Sequence, residues 1–323
     1  MKKGGKNSDQ DQKGFRRYSN AFIFAILLIA IVFGYIWLMY RPLSHIDSRL
    51  AIPLKTVAFI ESEKLPSLIH ELGSENKIWD ELAGLDQLRS FNTRLLEMDS
   101  ILNKNKQLEG LFSEKITITI SLKSNRKPGI LFIIPVTLNN QKDQVLQLFG
   151  KHTRNFKYTK RRFGSNNVYD LSWSESSGVN NFSFAILRGI MIGSFSGELV
   201  EESILQINSE KKISMQSEFN EVTGTVGKKV SANLFVNYKN LPQLIDFFSS
   251  GNSVLKGSKL TDFADWGAFD AEIFSDRIIL NGFTSLSDSI PRKLDLFRGQ
   301  EPVEFTSPSF LPSEVSLFRL YGF

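Results

Sequence analysis

Alternation of apolar and polar positions divides the chain into one long uncharged run followed by many short elements. Ala21 to Tyr40 is twenty residues without a charge. At about 1.5 Å per residue, a helix of that length spans about 30 Å, the thickness of a bilayer's hydrocarbon core. Twelve of the twenty are Phe, Ile, Leu or Val, which favours insertion by roughly 4 to 7 kcal/mol. Tyr35, Trp37 and Tyr40 gather at its C-terminal end, where amphipathic rings prefer the interface, and Arg41 and Pro42 end it. A cleavable signal peptide has a shorter apolar core followed by a small-x-small site, which Tyr40-Arg41-Pro42-Leu43 does not offer. The pattern therefore predicts a single transmembrane signal anchor whose partner is the lipid bilayer, with Tyr35, Trp37, Tyr40 and Arg41 at the interface.

Beyond a linker over residues 41–50 the period changes. Thr56–Ile60 reads as a strand, and Leu65-Pro66 opens a helix, since proline suits a first helical turn. Leu85, Leu88, Phe91, Leu95 and Leu102 recur every three or four residues and predict a second helix. Ile116, Ile118, Ile120 and Leu122 alternate with Thr117, Thr119 and Ser121, predicting a strand buried on its isoleucine face only. Ile130–Val136 is continuously apolar and suits a central strand, and Gln141–Phe149 suits a helix. Strands follow over Asn155–Phe163, Val168–Ser174, Phe182–Arg188 and Ile190–Phe195, then helices over Glu198–Ile207, N-capped by Ser196, and Glu218–Val222.

The opening pattern then recurs. Val57–Leu72 and Asn233–Phe248 share five of sixteen positions at one constant offset, including Leu-Pro-x-Leu-Ile. Each reads as a strand, a polar turn and a proline-started helix, followed later by a strand pair, Lys115–Val136 or Trp266–Thr284. The expected fold class is α+β: repeated strand-helix-strand-strand units with helices packed on antiparallel sheet. Units are expected over 51–226 and 227–306. Residues 307–323 are expected to start a third, with a strand over Glu314–Phe323 and Leu311-Pro312 mirroring the earlier openings, in which case the chain is a fragment; the alternative is that this strand adds to the preceding sheet as its closing edge.

Three segments carry a family resemblance: Ile52-Pro53 with Phe59-Ile60 after the apolar run; Arg188-Gly-Ile-Met-Ile-Gly-Ser through Ile204; and Asp265-Trp-Gly-Ala-Phe-Asp-Ala-Glu-Ile with Leu280-Asn-Gly-Phe-Thr284. Together they resemble exported Bacteroidota proteins grouped as domain of unknown function 3352. The resemblance covers most of residues 50–323. It implies a cell-envelope location, with no catalytic residue or cofactor to carry over.

Charge supports the topology and removes nucleic acid as a partner. Residues 1–20 hold six basic and two acidic residues, while the rest of the chain holds 33 basic and 32 acidic. The basic tail predicts a cytoplasmic N-terminus at the inner membrane and a periplasmic remainder, and leaves no extended cationic footprint elsewhere. With no cysteine, disulfides and thiolate chemistry are excluded.

The candidate chemistry is sparse. Gly193-Ser-Phe-Ser-Gly197 has the outline of a nucleophile elbow but places Phe195 at the nucleophile position. His45, His70 and His152 fall in no metal-ligand spacing, and no metal site is expected. Asp262, Asp265, Asp270 and Glu272 around Trp266 suit either a solvated strand face or a calcium or sugar site. Lys151, Arg154, Lys157, Lys160, Arg161 and Arg162 form a basic run interleaved with Phe156, Tyr158 and Phe163. That run suits either an edge hairpin protected by charge or a contact with acidic lipid headgroups or an acidic envelope polymer. The functional expectation is a non-enzymatic, membrane-anchored envelope protein that binds or scaffolds. The alternative is an envelope hydrolase acting on glycan or peptide.

Overall fold

A computed structural model describes residues 46–84, 114–136, 141–152, 155–175, 178–248 and 261–286, with residues 89, 92–93, 95–96, 99–100 and 299. Ten strands dominate it: β1 (Thr56–Ser62), β2 (Ile116–Leu122), β3 (Pro128–Pro135), β4 (Lys157–Phe163), β5 (Asn166–Glu175), β6 (Gly178–Leu187), β7 (Ile190–Ser194), β8 (Ala232–Asn237), β9 (Trp266–Ile273) and β10 (Ile278–Ser285). All belong to one antiparallel sheet in the order β10-β9-β8-β1-β2-β3-β7-β6-β5-β4. The described helices are few and short: α1 (Leu65–His70), α2 (Lys77–Ala83), α3 (Gln141–His152), α4 (Gly197–Asn208), α5 (Ser217–Thr223) and α6 (Leu241–Phe248).

This overturns the expected fold class. The strand-helix-strand-strand segments are not separate α+β units; their strands merge into a single large sheet. The cause lies in β1 and β8, the opening strands of the two segments. Each is apolar, and an apolar strand left as an edge exposes unpaired backbone groups. They pair with each other, Phe59 opposite Phe235, Ala58 opposite Val236 and Ile60 opposite Leu234. Two-residue turns then extend the sheet by a meander. Arg188 and Gly189 both adopt positive φ, as the β6–β7 hairpin requires.

The membrane-spanning expectation finds no support either. Among the described residues no helix is long and apolar enough to cross a membrane. The longest have twelve residues, about 18 Å of helix against about 30 Å of hydrocarbon. The described residues thus lend no support to a transmembrane, signal-anchor or single-pass reading. The expected span Ala21–Tyr40, its interface residues and the strand expected over Glu314–Phe323 lie outside the described residues.

Both faces of the sheet are covered. One face carries Phe59, Leu131, Ile133, Val168, Ile192, Phe235 and Trp266, packed beneath Leu199, Val200, Ile204 and Ile207 of α4 and Phe219 and Val222 of α5. The other carries Ile116, Ile134, Leu171, Trp173, Phe182 and Phe184, packed beneath Leu65, Leu68 and Ile69 of α1, Leu95, and Val145 of α3. Strand β2 departs from the amphipathic reading, because its hydroxyl side is the more deeply buried one. Thr117, Thr119 and Ser121 are fully buried, whereas Ile118 and Ile120 are half-buried. Hydroxyls tolerate this because they bond one another: Thr56 to Ser121 at 2.7 Å, Thr119 to Ser121 at 2.9 Å, Ser48 to Thr117 at 3.1 Å. A buried hydroxyl with a partner escapes most of the desolvation cost.

Candidate functional site

Three polar systems rise above ordinary surface chemistry. The first is at the β1–β8 seam. The alternation that turns Val57 and Phe59 inward also turns Glu61 inward, leaving it 1% exposed. The short helical turn Ser48–Ala51 supplies Arg49, whose Nε and Nη2 donate to Glu61 Oε1 and Oε2 at 2.7 and 2.8 Å. Lys115 Nζ donates to Oε2 at 3.0 Å. The guanidinium also lies over the Phe235 and Phe219 rings, 5.4 and 5.8 Å from their centroids. Burial alone would raise the Glu61 carboxyl; the hydrogen bonds and charge of Arg49, with the charge of Lys115, outweigh it and hold the group below the usual carboxylate range. Every oxygen of this carboxylate is occupied, so the cluster is structural. A charged residue on the inward stripe of an apolar strand was the sequence signal for it.

The second is the basic run. Lys157, Lys160, Arg161 and Arg162 lie on β4, an outermost strand of the sheet. Arg154 and the side chain of Lys151 lie outside the described residues. Register divides the four between the two faces: Arg161 opposes the core residue Val168, while Lys160 opposes Tyr169. Lys157 and Arg161 therefore share one face, and Tyr158, Lys160 and Arg162 share the other. Arg161 is committed internally. Its Nε donates to Asp170 at 2.6 Å, its Nη1 donates to Glu201 of α4, and Ser183 donates to the other Asp170 oxygen. Lys157, Lys160 and Arg162 are exposed and form no ion pair among the described residues.

Arg161 is one of three staples that hold α4 across the sheet. Glu201 takes Arg161 of β4, Glu198 accepts from the backbone and hydroxyl of Ser124 in the β2–β3 turn, and Glu202 accepts from Lys55 before β1. The Ser124 hydroxyl and amide hold the Glu198 carboxyl below its ordinary range. The elbow-like segment 193–197 serves this helix. Ser194 donates to the Ile130 carbonyl, Ser196 stands at the N-cap without a side-chain cap bond, and Phe195 packs on Phe132 and Phe182.

The third system is the acidic group around Trp266. Trp266 is buried, its indole N–H donating to Gln216 at 2.7 Å, so it offers no sugar platform. Asp270 accepts from the Gly227 amide and the Asn233 side chain, pinning the loop before β8. Glu272 is exposed on the same strand. His70 lies 3.3 Å from Asp99 and 3.6 Å from Glu75. Among the described residues no three His, Asp or Glu side chains converge closely enough to hold a metal ion. No known protein family, curated protein or solved structure matches the chain.

Proposed function

We propose that this chain is a non-catalytic binding or scaffolding module that presents β4 to an acidic polymer. The observation that carries this reading is the division of labour along β4. Arg161 is consumed by Asp170 and Glu201, whereas Lys157, Lys160 and Arg162 stay exposed at the rim of the sheet. Cations without internal partners on a rigid, regular element suit recognition of spaced negative charge. The inward acids support the same reading from the other side. Glu61, Asp170 and Asp270 are each saturated by donors, whereas a hydrolase acid must keep an oxygen free to act on its substrate.

The test is titration of the full chain with labelled polyglutamate at rising salt. Binding that weakens as exposed charges are screened is expected, as is its loss in the Lys160→Glu, Arg162→Glu double variant. Equal affinity for a neutral polymer, or undiminished binding by the double variant, would overturn the reading.

A further inference from the structure

Strand β4 has backbone as well as charge to offer, and the turn that follows it tells which groups are free. Phe163 opposes Asn166 across the two-residue loop Gly164-Ser165, with Gly164 at φ +59°. Glycine at positive φ in the first loop position is the signature of a tight hairpin turn. In such a turn the first residue's carbonyl accepts from the fourth residue's N–H. Phe163 is therefore hydrogen-bonded to β5, and antiparallel alternation gives the same inward role to Arg161, Thr159 and Lys157. The N–H and C=O groups of Tyr158, Lys160 and Arg162 consequently point outward, and among the described residues no strand pairs with them.

These outward backbone groups belong to the residues whose side chains share one face, Tyr158 being 53% exposed. The opposite outer strand, β10, carries no charge along Ile278–Ser285. Charge complementarity thus singles out β4, and it disfavours pairing β4 with a second copy of itself, which would oppose cations to cations.

Resting on the acidic-ligand reading above, we infer that β4 accepts an extended acidic peptide as an antiparallel eleventh strand. Carboxylates at ligand positions i, i+2 and i+5 then stand opposite Arg162, Lys160 and Lys157. Position i+1 meets the already neutralised Arg161 and is uncharged. Position i+4 lies against Tyr158 and is β-branched or aromatic. Main-chain hydrogen bonds supply affinity and the spaced carboxylates supply selection, the mode of recognition by strand addition.

The experiment uses the full chain and a labelled peptide containing Glu-Val-Glu-Thr-Val-Glu, followed by fluorescence anisotropy. In antiparallel register the amides at i+2 and i+4 face β4, and those at i+1 and i+3 face away. N-methylation of the first pair is expected to weaken binding at least about tenfold, and methylation of the second pair to leave it within about twofold. An isomer with its three glutamates contiguous is expected to bind more weakly than the spaced peptide. If both methylated peptides bind alike, or the contiguous isomer binds as tightly, strand addition is wrong while acidic recognition stands. If neither the peptides nor polyglutamate bind, both readings fall. A Lys-Val-Lys-Thr-Val-Lys peptide is expected to bind the Lys160→Glu, Arg162→Glu variant and not the parent, and the reverse preference would also overturn the proposal.

Discussion

Phe59 and Phe235 stand directly opposite one another on β1 and β8, their rings stacked 4.5 Å apart at 13°. They are also equivalent residues of the internal repeat, related by its constant offset. A residue paired with its own counterpart lies on a local two-fold axis. The flanking pairs obey it, since Ala58 and Leu234 are equivalent, as are Ile60 and Val236, and each pairs with the other's counterpart. Phe219 and Trp266 pack around this pair.

The stacked pair is expected to be the most sensitive point of the core. Phe59→Ala and Phe235→Ala should each cost about 3 to 5 kcal/mol, the usual toll for deleting a buried ring. The double variant should cost less than the two combined by about 0.5 to 1.5 kcal/mol, the worth of an aromatic pair beyond its area. Chemical denaturation of all four proteins reads this directly, and strict additivity would mean that the rings do not interact.

Glu61→Gln leaves Arg49 facing an uncharged amide at a buried site, and is expected to destabilise on the order of 3 kcal/mol. The variant should also change the response to acid. Because the folded-state carboxyl lies below its unfolded value, its contribution is fully present above about pH 4.3. It is lost as pH falls through the folded value. Stability of the parent should therefore drop more steeply than that of Glu61→Gln on acidification below that point. Parallel curves would show that the ion pair carries no linkage.

Two glycines should respond with opposite signs. A Cβ on Gly282 of β10 would sit 1.9 Å from the Ala268 carbonyl oxygen, an atom of the neighbouring backbone that cannot rotate away. Gly282→Ala should lose about 1 to 3 kcal/mol through forced displacement. On Gly150, inside α3, the new methyl meets only the Phe156 ring at 3.6 Å, an ordinary contact. Gly150→Ala should gain about 0.5 to 1 kcal/mol from helix propensity. Thermal melts of the two variants should move in opposite directions.

Neighbouring cations on β4 should separate stability from binding. Arg161→Ala removes a partly exposed staple to α4 and should cost up to about 1 kcal/mol, with little effect on polyglutamate affinity. The Lys160→Glu, Arg162→Glu double variant should melt with the parent yet lose the ligand. Any loss of binding by Arg161→Ala larger than its loss of stability explains would place Arg161 in the contact.

Strand positions were legible in the sequence where one face is apolar and local turns are strong, as in the meander from Lys157 to Ser194 with its Gly164 and Gly189 turns. Pairing between strands was not legible. Nothing local in Val57–Ile60 or Asn233–Val236 declares that they are neighbours, and without that contact the repeats read as separate units. The hydroxyls of β2 misled for a related reason. Thr117, Thr119 and Ser121 look like a solvent face until the partners that bond them, Ser48 and Thr56, are folded over them. On β4 the run of cations was visible, but its division was not. Only register tells that Arg161 lies on the face of Asp170 and α4 while Lys160 and Arg162 lie exposed on the opposite face.

The β1–β8 seam also imposes an order in time. Local hairpins such as β6–β7 need only a two-residue loop to close, whereas the seam must bring together residues separated by most of the described chain. During synthesis from the N-terminus, β1 can meet β2 soon after Leu122 emerges, but its other edge has no partner until Asn237 has been made. Through that interval β1 is an uncompleted apolar edge, and the pairing that joins the two halves of the repeat must wait until the whole meander has been made. In pulse-labelled hydrogen exchange, protection at the β6–β7 amides should therefore precede protection at the seam.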